Sequence, residues 1–175
     1  SEKLAYTIKR INPEETASVE VMKFSLSIII NFAAIVLLSL FISLFLGTFS
    51  ETMTALAGLA VLRFFSGGLH LPVSEYCVAA SSALFLLIPY LPVNSQWCII
   101  LNIAALLLIL IYAPSRIEQQ SRIPKKYYPF LKLISMLIVS MNFWVMSGVL
   151  AVTFFVQSFL LIRKISIKGM KAANN

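Results

Sequence analysis

Hydrophobic positions run in long uninterrupted blocks, with the charges collected between them. Phe24–Leu46 holds 23 residues without a charge, and at about 1.5 Å of rise per residue a helix of that length spans about 34 Å, enough for the hydrocarbon core of a bilayer. After a short turn over Gly47–Glu51, a second block runs from Thr52 to Phe65, apolar apart from Arg63. It reaches a spanning length only if Phe49–Ser66 all contributes. Tyr76–Leu91 is a third block, which Pro89 and Pro92 are predicted to kink or stop. A neutral connection, Val93–Gln96, leads to a fourth, Trp97–Ala113, with an aromatic residue at its outer boundary. Leu133–Ile162 then gives 30 uncharged residues, about 45 Å as one helix and too long for a single untilted span.

The charges between the blocks orient them. Residues 114–132 carry Arg116, Arg122, Lys125, Lys126 and Lys132 against a single Glu118, which marks this loop as cytoplasmic. Arg163, Lys164, Lys168 and Lys171 follow the last block. One long final span would place those four cations outside, against the rule; a hairpin of two short spans turning near Ser147-Gly148 places them inside. Ahead of the first block, residues 1–23 read as an interfacial segment leading into a helix: Asn12 is an N-cap, Pro13 suits the first helical position, and Leu4, Ile8 and Ile11 recur at helical spacing beside Lys3, Lys9 and Arg10. The expected fold is all-α, a polytopic membrane protein of about six transmembrane helices with an N-terminal interfacial helix. It forms one integral-membrane domain over residues 1–175, with both termini and the loop from Arg63 to Glu75 on the cytoplasmic side.

Composition agrees and narrows the function classes. With 59% hydrophobic residues, 12% charged and a mean hydropathy of +0.90, the chain has too little polar surface for a soluble globule of its size. The net charge of +7 does not point to nucleic acid, because the basic residues sit between apolar blocks with no aromatic-interleaved basic patch. The two cysteines, Cys77 and Cys98, lie within or beside predicted spans, so no disulfide framework is expected. One histidine, no aspartate and seven glutamates, mostly near the N-terminus, do not readily assemble a three-ligand zinc centre. Neither a metal nor another cofactor is expected.

Chemistry concentrates in one stretch, residues 63–77. It holds the sole histidine, one of the two cysteines, the only Gly-Gly pair and an arginine at the end of an apolar block. His70 and Cys77 are seven residues apart, which on one continuous helix would separate them by about 10 Å along the axis, too far for proton transfer. Pro72 disfavours helix at Leu71 and suits the first turn of a helix starting there. Gly67 and Gly68 permit a sharp bend, so His70 can fold back over the first turns of the third span. Cys77 would then lie about one turn inside that helix, where the helix dipole and a nearby imidazole both favour thiolate. Such a pair is the minimum for acyl transfer. The third, orienting group stays open between Glu75, Ser74 and a backbone carbonyl. Arg63 serves equally as a partner for an acidic substrate or as a snorkelling interfacial anchor. Cys98 falls at the opposite end of the bilayer and has no assigned role.

The run Arg63…Gly67-Gly68-x-His70…Cys77, at the edge of a membrane helix in a small polytopic chain with a basic loop downstream, resembles the accessory gene regulator B (AgrB) family of membrane peptidases. The resemblance covers nearly the whole chain in length and hydropathy profile; the chain departs from it at Leu71-Pro72-Val73, where many relatives carry small and polar residues, leaving Ser74 as the hydroxyl. It implies Cys77 as nucleophile and His70 as its base. It also implies an AgrD-like propeptide as substrate, a cyclic quorum-sensing peptide as eventual product, a bacterial cytoplasmic membrane and a homodimer. On that reading Gly67 and Gly68 let the peptide backbone approach, and Arg63, with the loop cations Arg122, Lys125 and Lys126, attracts an acidic tail. The competing expectation is a small multi-span exporter that releases a peptide without cutting it. Against it, the predicted mid-membrane stretches lack the ionisable residues of ion-coupled transport.

Overall fold

A computed structural model of the chain describes residues 19–67, 74–115 and 124–162. These form six α-helices: α1 (Val19–Leu46), α2 (Phe49–Ser66), α3 (Ser74–Leu87), α4 (Ser95–Tyr112), α5 (Tyr128–Val145) and α6 (Gly148–Phe159). The chain is an all-α membrane protein. Three of these helices are long and apolar enough to cross a bilayer, over Leu26–Leu46, Ser95–Tyr112 and Tyr128–Val145, and two shorter apolar helices cover Val78–Tyr90 and Gly148–Phe159. The N-terminal interfacial segment lies outside the described residues as far as residue 18, and α1 starts five residues ahead of the uncharged block.

Where the connections between helices are described in full, short turns reverse the chain, each with a local cause. Gly47, at φ 70°, ends α1, and the Thr48 N–H donates to the Ser43 carbonyl at 3.0 Å across the turn, closing the last helical carbonyls. Helix α2 then takes all of Phe49–Ser66, the longer of the two extents that the pattern allowed. Pro89 converts the end of α3 into a single 3₁₀ turn, Ile88–Tyr90. Helix α4 begins two residues earlier than the apolar block because Asn94 caps it, accepting the Trp97 N–H at 3.0 Å. The 30-residue uncharged run is broken where the charge pattern requires. Met146 adopts a left-handed conformation at φ 54°, and Ser147 caps α6 by accepting the Leu150 N–H at 3.4 Å.

The hairpin is asymmetric, which the charge pattern did not convey. Helix α5 starts at Tyr128, with Pro129 in its first turn, and so takes residues 128–132 from the basic loop. The Lys132 ammonium does not stay with the loop cations; its Nζ donates to the Leu110 carbonyl near the end of α4 at 2.9 Å. Helix α6 is correspondingly short, 12 residues or about 18 Å.

Contacts between helix ends give the direction of each helix. The ends of α2, α4 and α6 meet at one pole, where the Ser115 N–H donates to the Ser66 carbonyl at 3.0 Å and Gln157 reaches Gly67. The starts of α4 and α6 meet at the other pole, where Cys98 lies 3.6 Å from the Ser147 carbonyl. Helices α1, α3 and α5 therefore run opposite to α2, α4 and α6. Helix α6 is the most enclosed, with Ala151, Val152, Thr153, Phe154, Gln157 and Ser158 buried between α2 and α4.

The surface is apolar and the interior partly polar. Leu37, Phe45, Phe64 and Trp144 are 70–90% exposed, whereas Ser39, Ser43, Thr52, Asn102, Ser135, Asn142, Thr153 and Gln157 are buried. In water this arrangement would be costly. In lipid it follows from the packing rules, because small and amide side chains bring helices together while Leu, Ile and Phe face the acyl chains.

Candidate functional site

The pole at which α2, α4 and α6 end is built around Gly67. Helix α2 terminates there: the Gly67 N–H donates to the Arg63 carbonyl at 2.9 Å, and Gly67 turns the chain at φ 75°, ψ −148°. That combination is left-handed in φ yet extended in ψ, a region essentially confined to glycine. The Gly67 peptide is then gripped by two other elements. Ser115, just after α4, pairs with Gly67 in an isolated parallel bridge, and the Gln157 Nε2 donates to the Gly67 carbonyl at 2.7 Å and to the Ser66 Oγ at 3.2 Å.

Helix α3 is described from Ser74, seven residues beyond Gly67, the last described residue of α2's cap. Ser74, Glu75 and Cys77 all fall in its first turn, where four backbone N–H groups lack intrahelical partners and the dipole is positive. The side chains of these three residues, and all of Gly68 and His70, lie outside what the structure describes. Arg63 occupies the last turn of α2 and is half-buried, next to Phe64 and Phe65, whose rings pack edge to face at 5.1 Å. The structure thus places Arg63 and Gly67 at the root of the loop and the backbone of Ser74, Glu75 and Cys77 at its far side. Arg122 lies outside the described residues, while Lys125 and Lys126 form a 3₁₀ turn ahead of α5.

Beside this pole a cavity of about 520 Å³ opens between the end of α4 and the start of α5, lined by Ile111, Tyr112, Pro114, Tyr128, Pro129 and Lys132. At the far pole a second polar group forms. The Asn142 Nδ2 donates to the Asn102 Oδ1 at 3.2 Å and to the Ser147 carbonyl at 3.1 Å, with the Cys98 sulfur 3.9 Å away. Cys98 is 1% exposed and belongs to this group, at the opposite end of the bundle from the helix turn that holds Cys77.

Ser66, Ser115 and Gln157 were not singled out from the sequence. Gln157 carried a signal: it is a primary amide in a 30-residue run with no charge, and a polar side chain retained at such depth has a partner or a task.

Comparison with known proteins settles the family. The sequence pattern of accessory gene regulator B matches residues 1–163 of the 175. The chain belongs to the accessory gene regulator B family. It is 34% identical over 112 residues to a putative AgrB-like protein of Halalkalibacterium halodurans, a match that spans 63% of this chain and 57% of that relative. It is 27% identical over 146 residues to accessory gene regulator protein B of Staphylococcus aureus, spanning 78% of this chain and 77% of that protein. No solved structure matches. The family acts in accessory gene regulator quorum sensing, and this AgrB family member is an all-α membrane protein.

Proposed function

We propose that this AgrB family member is a membrane-embedded cysteine endopeptidase, with Cys77 as nucleophile and His70 as general base, cutting an AgrD-like propeptide. The observation that carries the reading is the start of α3 at Ser74. Gly67 ends α2 in a glycine-only bend three residues before His70, and Pro72 disfavours helix at Leu71; on the proposed non-helical path from His70 into α3 the roughly 10 Å axial separation of a continuous helix would not apply. The first turn of α3 adds the positive end of a helix dipole, which favours thiolate over thiol.

In this mechanism His70 takes the Cys77 proton and the thiolate attacks the carbonyl at the end of the future ring. The C–N bond breaks, the leaving amine takes the proton from the imidazolium, and the peptide remains as a thioester on Cys77. A Cys thiol or Ser hydroxyl within the peptide then attacks that thioester, closing a thiolactone or lactone and returning the Cys77 thiol. Exchange between thioesters is close to thermoneutral, so ring closure retains the activation that hydrolysis would dissipate, and a lipid-embedded site keeps water away.

The same reading places the loop pole on the cytoplasmic side of a bacterial membrane. Arg63 lies in the last turn of α2, and the cations of residues 116–132 and those from Arg163 onward follow the ends of α4 and α6, which is the expected asymmetry. An acidic propeptide tail would meet Arg63, Lys125 and Lys126 there. A second copy of this chain as homodimer partner belongs to the same proposal.

The deciding experiment incubates the purified protein in liposomes with the propeptide encoded nearest its gene and analyses it by mass spectrometry. The expected result is an acyl adduct on Cys77, labile to hydroxylamine and absent from Cys77→Ala and His70→Ala. Equal peptide cleavage by wild type and Cys77→Ala would remove the nucleophile assignment, and peptide release without cleavage would favour the exporter.

A further inference from the structure

The last helix reaches across the bundle to the residue at which the loop departs. Gln157 is fully buried on α6, and its Nε2 serves two acceptors at the end of α2, the Gly67 carbonyl at 2.7 Å and the Ser66 Oγ at 3.2 Å. Among the described residues its buried Oε1 accepts no hydrogen bond, and the buried Ser115 Oγ has no partner either. Packing alone does not call for an amide here. A methionine would fill the same space without the cost of an unsatisfied buried carbonyl. What the amide provides is direction. The Ser115 N–H holds the Ser66 carbonyl at 3.0 Å, Gln157 holds the next carbonyl, and together they fix the peptide plane from which the chain leaves α2.

We propose that Gln157 is a positioning residue for the Cys77 and His70 chemistry, acting through the Gly67 carbonyl. Its Nε2 sets the direction in which the chain departs toward α3, and the approach of imidazole to thiol depends on that direction. The inference rests on the endopeptidase reading above.

The test compares wild type, Gln157→Met, Gln157→Glu and Ser158→Ala in liposomes. Ser158 is a buried neighbour whose Oγ donates within α6, to the Phe154 carbonyl at 2.7 Å. Three quantities are measured: the single-turnover rate of adduct formation on Cys77, KM for the propeptide, and the pH midpoint of Cys77 alkylation. Gln157→Met should form the adduct roughly tenfold more slowly or worse with KM within about twofold, the pattern of a lost transition-state geometry rather than lost binding. Its alkylation midpoint should rise toward that of an ordinary thiol, about 8.5, as in His70→Ala. Gln157→Glu has no donor for Gly67 when ionised, so its rate should fall at high pH and recover as the carboxyl regains a proton. Ser158→Ala should match wild type.

Wild-type rate and midpoint in both Gln157 variants would overturn the inference while leaving the endopeptidase reading intact. If wild type forms no adduct, the endopeptidase reading fails on its own, and the alkylation midpoint, which needs no propeptide, still decides the positioning role. Should Gln157→Met not fold, the pH recovery of Gln157→Glu decides it, since loss of packing alone would not reverse with protonation.

Discussion

Asn142 and Ser147 hold each other twice. The Asn142 Nδ2 donates to the Ser147 carbonyl at 3.1 Å, and its Oδ1 accepts the Ser147 N–H at 3.1 Å. This two-way pairing satisfies both main-chain groups of Ser147, one of the two residues that separate α5 from α6, and it encloses the other, the left-handed Met146. The reversal thus depends on one amide. Asn142→Ala should leave the Ser147 N–H and the Asn102 Oδ1 without this partner, while the Ser147 carbonyl keeps the Ala151 N–H at 3.0 Å, at about 1–3 kcal/mol for such a loss. Asn142→Asp should do no better, because a carboxylate cannot donate to Ser147 or Asn102. Thermal unfolding in detergent should show a lower midpoint for both. Wild-type midpoints would show that the turn is held by helix packing instead.

Gly67 should be irreplaceable for a reason of backbone shape rather than space. At φ 75° and ψ −148° an L-residue is strained by about 1–3 kcal/mol, so Gly67→Ala should impair Cys77 acylation while helix content by circular dichroism stays at the wild-type level. Gly67→Asn sharpens the test. Asparagine tolerates the compact left-handed helical region, but not this extended ψ, and should fail to rescue. Recovery with asparagine would mean that the turn relaxes into an ordinary left-handed cap.

The two cysteines should behave as chemical opposites. Cys98 is 1% exposed, and its sulfur sits among the Ser147 carbonyl and the Asn102 and Asn142 amides. Cys98→Ser should retain propeptide cleavage, since a hydroxyl can serve the same partners. Under mild alkylation near neutral pH, Cys77 should react faster than Cys98 and slow when His70 is replaced. Equal, His70-independent rates at both thiols would count against an activated nucleophile.

Much of the fold was legible because the membrane imposes it. Uncharged blocks and the residues that end them, Gly47, Pro89 and Ser147, locate the helices, and the cations after Ile162 required the final block to fold in two. The remainder was hidden in long-range pairing. Asn142 finds Asn102 40 positions away and Gln157 finds Gly67 90 positions away, relationships that hydropathy cannot express because each amide stands in a run that reads simply as apolar. The candidate site divides the same way. Arg63, Gly67, His70 and Cys77 were visible from residue type and spacing, whereas the residues gripping Gly67 became visible only once α4 and α6 were seen to end beside it. Helix α5 was misjudged at its start because Lys132 read as a loop cation, when its ammonium is spent on the Leu110 carbonyl.

Two glycines that both sit at close helix contacts should respond differently to the same substitution. A Cβ added at Gly58 would meet the Leu150 Cδ2 at 2.7 Å, the movable end of a side chain, whereas one added at Gly148 would meet the Val93 Cβ at 2.9 Å and the Val93 carbonyl oxygen at 3.3 Å. In α2 the clash can be relieved by rotating Leu150, and alanine gains about 1 kcal/mol of helix propensity over glycine in a helix interior. At the start of α6 the obstacle is the stem and main chain of the segment leading into α4, which can move only if the helix ends separate. Gly58→Ala should therefore unfold close to the wild-type temperature, and Gly148→Ala should unfold several degrees lower, as overpacking costs of about 1–3 kcal/mol imply. Val93→Gly would remove that Cβ and leave the added methyl of Gly148→Ala facing only the main-chain oxygen, so the double variant should recover part of that loss. If Gly148→Ala is instead as stable as wild type, α4 and α6 do not meet at that pole as closely as described.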